Sequence, residues 1–175
     1  MLWRTVWGPL VLGSLVLLPS EKSTAADTPD GFLPLVVKLI GDNDREFRAA
    51  GLDQVRSRAG GLEGTKLFAG RLPQLDSAGQ AALMSALADR GDPAARPAII
   101  LLLNSSTDEN VRIAAIRALG KLGKPADLPW LMTYLSSKSA AEQAAVQATL
   151  TDMRGEKITK ALAAELSSVP HANKA

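Results

Sequence analysis

At 175 residues with no cysteine and a formal net charge of +2, the chain has room for one cored domain but none of the chemistry of disulfides, thiolate metal sites or thiol nucleophiles. So small a charge nominates neither nucleic acid nor an anionic membrane as a partner. Hydrophobic residues at 46% and charged residues at 22% are the proportions of an ordinary globular protein.

The first element in chain order is an address. Arg4 precedes an uncharged run to Ser20, apolar from Leu10 to Leu18 and broken at Pro19, with small residues following at Ser23-Thr24-Ala25-Ala26. A positive start, an apolar middle and a small-residue end predict a secretory signal over residues 1–26 and export to the periplasm or the extracellular space. The alternative is an uncleaved anchor with Leu2 to Leu18 as its span, which Gly8-Pro9 and Gly13 interrupt and whose length is at the lower limit for a bilayer. Cleavage leaves 18 basic and 17 acidic residues, so the remainder is expected to bind no membrane.

Downstream the chain repeats itself. Asp44, Asp76, Asp108 and Ser139 follow one another at intervals of 32, 32 and 31 residues, each opening a segment of one kind: DREFRAAGLDQV, DSAGQAALMSAL, DENVRIAAIRAL and SAAEQAAVQATL. Arg48, Gln80, Arg112 and Gln143 share the fourth position after these starts, Ala50, Ala82, Ala114 and Ala145 the sixth, and Val55, Leu87, Leu119 and Leu150 the eleventh. Asp or Ser at the start suits the unpaired amides and positive dipole of a helix N-terminus. The stripes Leu83, Met84, Leu87 and Ala115, Ile116, Leu119 have the spacing of a helix with one apolar face.

Ahead of each start lies a shorter apolar helix. Nine residues upstream stand Leu35, Leu67, Ile99 and Trp130, a column expected in the core, and eight upstream stand Val36, Phe68, Ile100 and Leu131. The unit is therefore helix A, a polar turn and helix B. Pairs are predicted at 31–41 with 44–58, 62–73 with 76–90, 93–103 with 107–122 and 126–136 with 139–153, and a further helix A near 156–167. Gly60-Gly61, Gly91-Asp92-Pro93 and Gly123-Lys124-Pro125 separate the units. No stretch alternates with period two, so no sheet is expected. A single unit cannot bury its own apolar face, whereas a stack can. The expectation is an all-α superhelix with a ridge of A helices and a groove of B helices, spanning 27–169 and followed by a tail at 170–175. A fifth helix B would begin at Pro170 or His171, where only a few residues remain, so the chain reads as truncated.

The segment DENVRIAAIRALGKLGKPADLPWL, Asp108 to Leu131, resembles the HEAT repeats, in particular the short bacterial form called PBS-lyase-like or E–Z type. Asp108, Val111, Arg112, Ala115, Leu119 and Gly120 carry the likeness, which extends more faintly over about 31–167. The first unit departs with Phe47-Arg48 and Gly51, the second with Gly79-Gln80, and the fourth with Ser139 and Gln143. The resemblance implies an armadillo-like solenoid of four helix pairs plus one helix, belonging to a larger exported bacterial protein. It also implies a structural ladder in which turn aspartates Asp44, Asp76 and Asp108 and arginines Arg48 and Arg112 bridge neighbouring units.

Catalytic chemistry has little raw material. His171 is the only histidine, no Gly-x-Ser-x-Gly elbow exists, and GGLEG at Gly60 to Gly64 lacks the Lys of a phosphate loop. Asp42-Asn43-Asp44 with Glu46 reads as a helix cap rather than a calcium loop. Catalytic, cofactor and metal residues are accordingly expected to be none. Arg56, Arg117 and Lys121 are expected to face solvent on B helices, where they would line a groove for a protein partner or another domain of the same polypeptide. The rivals are a structural spacer beside a catalytic or haem-binding domain, and a phycobilin-lyase-like subunit.

Overall fold

The computed structural model describes residues 31–57, 59–153, 159–161 and 163–164. The signal predicted at 1–26 and the tail at 170–175 lie outside them, as does most of the helix predicted near 156–167. Residues 159–161 and 163–164 of that helix are helical, and Ala161 packs against the core.

Ahead of that helix, among the described residues, eight α-helices run in A–B order: α1 Phe32–Ile40, α2 Arg45–Arg56, α3 Gly61–Arg71, α4 Ser77–Arg90, α5 Arg96–Ser105, α6 Glu109–Leu122, α7 Leu128–Thr133 and α8 Ala140–Asp152. Short 3-10 turns extend α3 and α7 at their ends and lead into α5 and α7. These are the predicted pairs, with no strand among the described residues.

The repeat starts are helix caps. Asp44 accepts from the amides of Glu46 and Phe47, Asp76 from Gly79, Asp108 from Asn110 and Val111, and Ser139 from Glu142. One or two unpaired donors satisfied at the start of each B helix explain why the column admits only Asp or Ser. Asp42, the other member of the candidate calcium cluster, accepts from the Asp44 amide and so shapes the turn.

The B helices touch in succession, α2 on α4, α4 on α6 and α6 on α8, while α2, α4 and α6 also pack on the A helix beside them and α8 on the 3-10 turn that ends α7. Leu83, Met84, Leu87, Ala115, Ile116 and Leu119 are fully buried in this stack. Gly51 has its own reason. A Cβ there would lie 2.8 Å from the Ile40 nitrogen and from Leu39 Cβ, so the backbone of α1 crosses α2 where only glycine fits.

The A helices correct one expectation. Trp130, placed in the core by its column, is 53% exposed, as are Leu35 at 52% and Leu67 at 44%. Their successors Val36, Phe68 and Leu131 are buried instead. A step of one residue turns a helix by about 100° and moves a side chain off the buried face. Ile99 is buried in the same column because the third unit carries one more residue between its buried A face and its cap. The cap spacing stays at 32 because the segment from Asp76 to Ile99 is one residue shorter than that from Asp44 to Phe68, which offsets the longer turn.

Candidate partner-binding face

Alanines decide where the B layer opens. Ala81 and Ala88 on α4, Ala114 and Ala118 on α6 and Ala148 on α8 give a low floor to a groove of about 570 Å³ across three successive B helices. Gly120 brings α6 close to α8, since a Cβ there would stand 3.2 Å from the Thr149 methyl. Ile113 adds an apolar wall, and Arg117, Lys121 and Asp152 supply charge. Such a lining suits an extended segment or a narrow helix face.

Two of the three candidate cations converge. Lys121 Nζ lies 2.6 Å from Asp89 Oδ1, and Arg56 Nε lies 3.2 Å from Asp89 Oδ2 while its other nitrogen holds Asp53 at 2.8 Å. Three B helices, α2, α4 and α6, are thus tied through one carboxylate. The Lys121 ammonium, and after it the Arg56 guanidinium, holds the Asp89 carboxyl below its ordinary value against the opposing effect of burial. Arg56 lies outside the groove lining, whereas Arg117 and Lys121 share it. Arg117 is exposed and forms no ion pair with the described residues, so its charge is available to a bound segment.

The expected ladder residues take several roles. Asp44 and Asp76 cap their own helices. Asp108 caps α6 and also meets the Ser77 hydroxyl at the start of α4; that bond and then the cap amides lower its pKa. Arg48 turns back on its own unit, donating to the Asn43 carbonyl at 3.2 Å. Arg112 donates likewise to the Ser106 carbonyl at 3.0 Å and crosses to Glu142 on α8 at 2.5 Å. Gln143 repeats the turn contact on the Ser137 carbonyl at 2.7 Å. A long donor four residues after the cap therefore closes the A–B turn in three units, which accounts for Arg or Gln in that column.

Sequence reasoning missed the polar groups that join the units from inside. Arg90, 1% exposed, donates through Nε to Thr65 Oγ1 at 2.6 Å and through its terminal nitrogens to the carbonyls of Val55, Ala59 and Gly61. Its guanidinium lies 5.6 Å from the centre of the Phe68 ring, within cation–π range. Thr65 in turn donates to Asp92 at 2.7 Å. Arg96 forms a two-pronged pair with buried Asp127 of the next unit, which also accepts from the Lys124 amide at 2.7 Å. The repeat columns mark these residues only in part, because Arg58 and Arg90 share a position that the third and fourth units fill with Leu122 and Met153.

The buried carboxylates make stability depend on pH. Burial opposes charge on Asp127, but Arg96 and the Lys124 amide outweigh it and lower the pKa; at Glu142 the Ser137 hydroxyl and Arg112 do the same. The folded chain therefore holds these protons more weakly than the unfolded chain, and unfolding takes protons up. Their contribution is complete above the ordinary carboxylate range, about pH 4 to 5, and is lost as pH falls through the lower folded values. Asp127→Asn is expected to be less stable at neutral pH and to lose less stability on acidification, as read from urea midpoints at pH 7 and pH 3. Parallel loss in both proteins would contradict the role given to Asp127.

The family model for HEAT repeats matches residues 66–150, from α3 to the last turns of α8. Over these residues the chain is built of HEAT repeats. No curated protein matches the sequence. The first unit, α1 with α2, lies before the matched HEAT segment and repeats its cap, turn and buried stripe. HEAT repeats serve as helical scaffolds and commonly mediate protein–protein interaction, generally without catalysis of their own. No described helix is long and apolar enough to cross a membrane.

Proposed function

We propose that this HEAT array is a non-catalytic docking module of an exported bacterial protein, and that the B-helix groove over α4, α6 and α8 receives a segment of a protein partner or of another domain. The observation that carries the reading is the alanine-floored groove with Arg117 at its wall and no ion pair on that cation from the described residues. A floor of small side chains lets a backbone approach, and an unengaged guanidinium suits a carboxylate on the incoming segment. The order of residues in the first 26 supports export.

Arg117→Glu tests the groove more cleanly than a change at Lys121, because Lys121 also holds Asp89. With tagged wild-type chain as bait in an envelope extract, a partner is expected that Arg117→Glu captures at least about tenfold more weakly, as for a charge pair reversed in a binding site. Equal capture by both baits would remove the groove from the account and favour a spacer role.

A further inference from the structure

The two layers of the array differ in charge and in what they expose. The large apolar side chains left in solvent lie mostly on A helices: Leu35 on α1, Leu62 and Leu67 on α3, Leu101 on α5 and Trp130 on α7. The stack does not need them there, because Val36, Phe68 and Leu131 already fill the core beside three of them. Around them the exposed or half-exposed charges are Lys38, Lys66, Arg71, Arg96 and Lys124 against Glu63 and Asp92, with Lys66 paired to Glu63 at 2.9 Å and Arg96 to the buried Asp127. The B layer leans the other way, with nine acids, among them the caps Asp44, Asp76 and Asp108, against seven bases on α2, α4 and α6. A whole-chain charge of +2 conceals this division. A groove of about 310 Å³ between α1 and α3 joins the two chemistries, with Val37 and Leu67 as its apolar part and Lys66 and Arg71 at its edge.

Leucines and a tryptophan set among cations are the composition of a surface that lies in the interfacial region of an anionic bilayer. We propose that the A-helix face docks peripherally on an anionic lipid surface. Trp130 and Leu67 enter the headgroup layer, while Lys66, Arg71 and Lys124 meet the phosphates. The B groove stays turned away and open to its own partner, so the two contacts are independent. This departs from the expectation drawn from net charge alone, because a membrane responds to the face it meets and not to the sum over both faces.

The test uses the full chain with Trp3→Phe and Trp7→Phe, which leaves Trp130 as the sole tryptophan. The chain is mixed with vesicles of phosphatidylglycerol and phosphatidylcholine whose acyl chains carry bromine. The expected result is a blue shift and quenching of Trp130 emission that phosphatidylcholine alone does not produce and that high salt reverses. Adding Lys66→Glu and Lys124→Glu should weaken the apparent affinity at least about tenfold, as expected when basic residues that each favour an anionic surface are reversed. Sedimentation with the vesicles while Trp130 emission stays unchanged would assign binding to the N-terminal segment and overturn the proposal. A blue shift that grows with protein concentration without lipid would also overturn it, in favour of a second copy on this face.

Discussion

Arg90→Met is expected to lower the stability of the array by at least about 3 kcal/mol, since three carbonyls and the Thr65 hydroxyl lose a charged donor and each such hydrogen bond is worth about 1.5 to 3 kcal/mol. The acceptors are Val55 at the end of α2, and Ala59 and Gly61 on the way into α3, so one side chain on α4 ties the first unit to the second. Its position suits a cation, because carbonyls at a helix end carry the negative pole of the dipole. Methionine keeps most of the unbranched stem and its packing, so the loss reports the donors. Thr65 would be left with Asp92 alone as a side-chain partner among the contacts described above. Urea unfolding should show a lower midpoint with an unchanged slope. A midpoint within error of wild type would mean that the Arg90 network contributes nothing net.

Leu119→Asp is expected to cost more, above about 4 kcal/mol, which is a large part of the roughly 5 to 15 kcal/mol that holds an ordinary domain together. Leu119 is 1% exposed, in the last turn of α6, and α6 touches both α4 and α8. A carboxylate there would be far from water with no cation or donor placed for it. Protonation would relieve part of the penalty, so the variant should recover some structure as pH falls, opposite to the acid response expected of the wild-type chain. Circular dichroism against temperature at pH 7 and pH 5 reads both effects.

What sequence makes legible here is what local chemistry determines. An Asp or Ser with unpaired amides just beyond it and an apolar stripe at helical spacing involve neighbours along the chain, so the B helices, their caps and their buried face follow from the columns. The A helices are less legible because their register hangs on the turn that follows, and the added residue in the third turn made Trp130 look equivalent to Ile99. Charge was least legible. Arg56 and Lys121 are exposed, but no local signal shows that Asp89, on the helix between them, pairs with both. Arg90 read as the end of a helix, and only the stacking of α2, α3 and α4 buries it. The groove itself follows from small residues on three different helices, each of which alone reads as ordinary helical alanine.

Arg117 and Leu119 stand two residues apart on α6, one in the groove lining and the other in the core. The most direct test of the account is the thermal melt of Arg117→Glu beside that of Leu119→Asp, followed by far-UV circular dichroism. The account predicts a wild-type transition for Arg117→Glu and no cooperative transition at neutral pH for Leu119→Asp. A wild-type melt for Leu119→Asp, or the loss of folding in Arg117→Glu, would contradict the stacking register and with it the groove.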